Sequence, residues 1–152
     1  MGTNFKNYEY TEWFSADQMH ETSKVWLSEL KFIKDEHHFF EDLITSFTYQ
    51  ILAFGKFSDT TEIIDAINKS EKQNIILIQT IKSHKKELKI MVDGMDQLKE
   101  EKAYIKAHKD LIISVTNYLK DYKSLKTQLF KIIKNIKKED KQRHLLDKRE
   151  IK

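Results

Sequence analysis

The chain has 152 residues, 39% hydrophobic and 34% charged, with a formal net charge of +3. That balance is too apolar for a disordered chain, and the length suits one domain with a real core. The absence of cysteine excludes disulfides, thiolate nucleophiles and cysteine metal sites, and three glycines cannot make a phosphate-cradling loop.

No proline is present, and Gly55 and Gly94 are the only glycines away from the N-terminus. Proline's absence leaves every position free to continue a helix, and the two glycines are the natural places to end one. The chain therefore reads as all-α, an antiparallel three-helix bundle of long, coiled-coil-like helices. The whole of 1–152 is expected to be a single domain, with an N-terminal segment over 1–16 and a frayed charged tail over 139–152.

Tyr8, Tyr10, Trp13 and Phe14 stand near the start among Glu9 and Glu12. No basic start leads into an apolar run, so no signal peptide is expected. No stretch approaches the roughly 18 apolar residues of a membrane span. A cytoplasmic location is the expectation.

The first helix is predicted to begin between Ser15 and Ser23 and to run to about Phe54. Trp26, Leu30, Ile33, His37, Phe40, Ile44, Phe47, Ile51 and Phe54 follow a 4-3 spacing, a seam of about four heptads. Val25, Phe32 and Phe39 widen the apolar face. The N-terminal aromatics are the expected cover for it, and a homodimer through this aromatic face is the other way to bury it.

The second helix is predicted after Ser58-Asp59-Thr60, with a core face of Ile63, Ile67, Ser70, Asn74, Leu77, Ile81, His84, Leu88, Met91 and Met95. A turn at Asp93-Gly94 ends it. The third helix is predicted from near Asp96 to about Lys138. Its face reads Glu101, Tyr104 or Ile105, His108, Leu111 or Ile112, Val115, Tyr118 or Leu119, Tyr122, Leu125, Leu129, Ile132 or Ile133, and Ile136. Residues 120–152 hold 12 basic and 5 acidic side chains. No aromatic follows Phe130, so this end lacks a stacking platform and is expected to be a solvated lysine face, not a nucleic-acid site.

Each core face carries polar residues where the period asks for apolar ones. With turns centred near residues 57 and 95, Glu29, His84, Tyr104 and His108 fall at one height. Glu36 and Glu101 lie two turns away on the same faces as Glu29 and His108. Such groups must satisfy one another, a metal or water. Carboxylates with imidazoles in a helical core are a ligand set for iron, manganese or zinc. Glu29, Glu36, His84, Glu101 and His108 are therefore the candidate metal ligands, with Tyr104 as a hydrogen-bonding support. A metal-free polar layer and scattered half-exposed residues are the competing readings. No nucleophile elbow is present, and enzymatic activity stays open.

The stretch Trp26-Leu27-Ser28-Glu29-Leu30-Lys31-Phe32, followed by Asp35-Glu36 and Phe39, resembles a group of uncharacterised bacterial helical-bundle proteins. That resemblance implies the fold and histidines on later helices, and no activity. More loosely, His38-Phe39-Phe40-Glu41-Asp42 is similar to the His-Phe-x-x-Glu pattern of hemerythrins, which like ferritins bind paired irons in helical cores. The hemerythrin His-x-x-x-His pair has no counterpart. The ferritin-like Glu-x-x-His pair has none either, since His84-Lys85-Lys86-Glu87 runs in the opposite order. Two functional expectations follow: a bundle that binds a transition metal through its Glu/His layer, or an interaction protein that uses its aromatic face or basic end.

Overall fold

A computed structural model describes residues 15–93 and 98–150 of the chain. The expected aromatic cover at Tyr8, Tyr10, Trp13 and Phe14, the turn at Gly94 and the core position Met95 lie outside the described residues. What is described is all-helical: α1 (Ala16–Ser46), α2 (Thr48–Ala53), α3 (Phe57–Asp93) and α4 (Leu98–Glu150). The described residues contain no strand.

The first predicted helix is in fact two. Its interruption falls at Phe47, inside the run Thr45-Ser46-Phe47-Thr48. The hydroxyls of Thr45, Ser46 and Thr48 bond back to the carbonyls of Glu41, Leu43 and Thr45 at 2.7–2.8 Å. Such bonds compete with the helical ladder and bend it. The Phe47 N–H reaches Ile44 instead of Leu43. The short α2 then closes at Gly55, whose φ of 67° is left-handed. The Lys56 N–H bonds back to the Ile51 carbonyl at 3.0 Å, the long-range bond of a glycine-terminated helix end.

α3 begins at Phe57, slightly before the predicted capping residues. Thr60 is already helical there and bonds the Lys56 carbonyl with both its N–H and its hydroxyl. α4 continues to Glu150, through the stretch where the sequence pattern predicts fraying. No glycine or proline interrupts those residues, and Glu139 and Arg143 pair one turn apart at 3.3 Å.

The described residues divide into two compact units, one formed by 15–33 with 74–93 and 98–118, the other by 34–73 with 119–150. In the first unit, Met19, Leu88 and Tyr104 form a buried cluster covered by Ala16, Met91, Ile105 and Ile112. Trp26, Leu30, Ile81, Leu111 and Val115 are buried in the same unit. The Asn74 amide donates to the Leu30 carbonyl at 3.0 Å and joins α3 to α1 there.

In the second unit the core holds Phe40, Ile44, Ile51, Ile63, Ile67, Tyr122, Leu129 and Ile136. Each large apolar side chain so buried contributes about 1.5–3 kcal/mol over an exposed one. Phe40 stacks on Tyr122 and meets Phe130 edge-on. Further along, Lys137 lies over Phe47 and Arg143 over Phe54. Contacts thus advance in the same sense along α1–α2 and α4. Against α3 the sense reverses: His37 meets Ser70, while Ile44 lines a small groove with Ile64 and Ile67.

Candidate functional site

The polar positions of the core faces resolve into three separate arrangements. The most enclosed is in the first unit. His84 lies on the inward face of α3, three residues after Ile81 and four before Leu88, and is 4% exposed. His108 lies on the inward face of α4, four residues after Tyr104, and is 1% exposed. Their Nε2 and Nδ1 atoms are 2.9 Å apart, a direct imidazole–imidazole hydrogen bond.

Aromatic rings sandwich this pair. The Tyr104 ring lies 4.0 Å over His84 and nearly parallel to it, and its hydroxyl donates to the His84 carbonyl at 2.8 Å. Trp26 stacks on the far side against His108 at 5.0 Å. Burial pushes the pKa of His84 down to about 4, helped by the neighbouring His108. Burial alone pushes His108 to about 4 as well. Burial also raises the Tyr104 phenol, with the charge of Glu87 adding to the effect. At neutral pH both imidazoles are uncharged, one donating and the other accepting, and Tyr104 keeps its proton.

The second arrangement surrounds Glu36 in the second unit. Burial alone would raise this carboxyl, but hydrogen bonds from Lys126 and Tyr122 and the nearby positive charge hold it below its ordinary value. Both bonds are 2.7 Å long. Beside it, the buried His37 contacts the Ser70 hydroxyl through Nε2 at 2.9 Å. Its Nδ1 has no hydrogen-bond partner, and burial lowers its pKa.

The third arrangement is a carboxyl pair that the sequence pattern gives no sign of. Burial of Glu71 and a hydrogen bond with Glu41 raise its pKa to about 7, with the Glu41 charge adding to the shift.

Of the five candidate ligands, only His84 and His108 touch. Glu29 and Glu101 are exposed. Trp26, three residues before Glu29, takes the α1 place against His108, because the seam Trp26–Leu30–Ile33 turns Glu29 outward. Glu101 precedes the first buried residue of its face, Tyr104, and stays in water. Glu36 belongs to the second unit and already has Tyr122 and Lys126 as partners. Among the described residues, no group of three or more His, Asp or Glu side chains comes together to hold a metal ion. No helix among them is long and apolar enough to cross a membrane.

Comparison with protein families, with characterised proteins and with solved structures gave no match.

Proposed function

We propose that this chain is a metal-free helical interaction module of a reducing compartment such as the cytoplasm. Its long helices form an antiparallel three-helix bundle, and a second copy of the chain is the partner. The opposed contacts of α3 and the same-sense contacts of α1 and α4 within the second unit support the bundle. The observation that carries the interaction reading is the outer face of α1. Val25 and Phe32 in the first unit and Phe39 in the second, seven residues apart in sequence, are each more than half exposed. Large apolar side chains repeated at this spacing suit burial against another helix. The inward polar groups support the metal-free part. His84 and His108 spend their facing nitrogens on each other, and Glu36 spends both oxygens on donors of its own unit.

Sedimentation of the full chain over a range of concentrations tests the reading. A dimer is expected, converted to monomer by Phe32→Asp with Phe39→Asp. A chain that is monomeric throughout overturns the self-association. Elemental analysis of protein purified without chelator or affinity metal tests the other half. Stoichiometric metal in every preparation overturns the metal-free reading.

A further inference from the structure

Beyond self-association, the first unit holds a groove of about 730 Å³ between residues 16–31 of α1 and residues 82–92 of α3. Its floor is apolar: Leu27 and Leu88 are buried there, and Val92 stands 60% exposed at one end. Its rim is basic. Lys31 stands on the α1 side and Lys82, Lys85, Lys86 and Lys89 on the α3 side, with Asp17 as the one acidic lining residue. Among the described residues, no carboxylate forms an ion pair with any of these five lysines.

We propose that this groove docks an acidic amphipathic helix of a partner protein. The apolar floor takes the hydrophobic stripe of such a helix, and the lysines meet carboxylates on its flanks. The distribution of charge selects a helix over a single anionic headgroup. From Lys82 to Lys89 the basic side chains spread over two turns of α3, about 10 Å of axis. They form a ladder that matches carboxylates spaced three, four and seven residues apart, not a cluster converging on one point. Cations beside an apolar trough also favour the correct partner through rapid encounter and repel basic helices.

This surface is distinct from the apolar face of α1. Leu27 and Lys31 lie about 100–160° around the helix from Val25 and Phe32. A monomeric chain would therefore leave the groove intact, and the two readings fail separately.

The probe is a fluorescein-labelled synthetic helix of about 15 residues, with leucines at i, i+3, i+4 and i+7 and flanking glutamates, titrated into the full chain by anisotropy. Saturable binding is expected. Lys82→Glu with Lys86→Glu should weaken it by about tenfold or more, and salt should weaken it in parallel. Phe32→Asp should leave it unchanged. Circular dichroism confirms that each variant is folded. Binding that survives the charge reversal, or that is equally strong for a lysine-flanked peptide, overturns the proposal. Lysine-dependent capture of phosphatidylglycerol vesicles with no peptide binding assigns the groove to lipid and also overturns it. Residues 1–14 include Glu9, Glu12, Trp13 and Phe14 and immediately precede the groove in sequence. If the peptide binds only after Glu9→Lys with Glu12→Lys, the chain's own N-terminal segment is the occupant and the partner helix is refuted.

Discussion

Replacing His84 by leucine gives the sharpest reading of the buried imidazole pair. The change removes the partner of His108 Nδ1 while His108 stays 1% exposed. A buried polar atom stripped of its partner costs about 1–3 kcal/mol. Loss of the ring stacked 4.0 Å from Tyr104 adds about 0.5–1.5 kcal/mol. A net loss of about 2–4 kcal/mol is expected, set against a total stability on the order of 5–15 kcal/mol. Adding His108→Leu removes the stranded atom, so the double variant should be no less stable than the single one. Urea unfolding followed by circular dichroism at pH 7, with and without chelator, measures all three proteins. Acid provides an independent check. Both imidazoles have folded pKa values depressed to about 4 from an ordinary 6.5. Their contribution is therefore present above pH 6.5 and is lost as pH falls from 6.5 through 4, up to about 3 kcal/mol for each ring. The double variant should show a flatter acid limb over that window. A single variant that loses less than about 0.5 kcal/mol would refute the reasoning, as would a double variant clearly less stable than the single one. So would a native midpoint that falls on chelation.

Glu71→Gln should act in the opposite direction on pH. The folded pKa of Glu71 is raised to about 7, so its protonated form stabilises the fold at low pH and that stability is lost as pH rises from 4.5 through 7. Measured against the native chain, the glutamine variant should be more stable at pH 8 than at pH 5 by up to about 1 kcal/mol, after screening by solvent, as read from urea midpoints of both proteins at the two values. Gly55→Ala should cost about 1–2 kcal/mol in thermal or urea unfolding, because the φ of 67° is strained for alanine even though its Cβ would meet nothing within 4 Å. Tyr122→Phe removes one of two donors to Glu36 and should cost about 0.5–2 kcal/mol. It should also raise the Glu36 pKa, which carboxylate NMR titration measures.

Helical periodicity made the inward faces legible. His84 and His108 stand where the spacing puts them, between Ile81, Leu88, Tyr104 and Leu111. Height along the helices was harder to read. A first turn centred near residue 57 would set Leu30 opposite residue 84, yet the Leu30 carbonyl meets Asn74. The displacement arises because the chain breaks at Phe47 and begins its reversal through α2, before Gly55. Three hydroxyls bond back to backbone carbonyls around that break, and a pattern of apolar spacing is blind to them. Glu29 was misplaced in height and also in facing, since an edge position beside Leu30 can turn either way and charge selects water. The Glu41–Glu71 pair was invisible because each residue adjoins its core seam without belonging to it.

The column of rings Tyr104, His84, His108 and Trp26 has an optical consequence. Indole emission is sensitive to a neighbouring imidazole and changes when that ring gains a proton. Trp26 is one of two tryptophans in the chain, the other being Trp13. In a Trp13→Phe background, Trp26 is the sole indole fluorophore and rests against His108. Its emission then reports the protonation of the imidazole pair and the opening of the first unit without an added label.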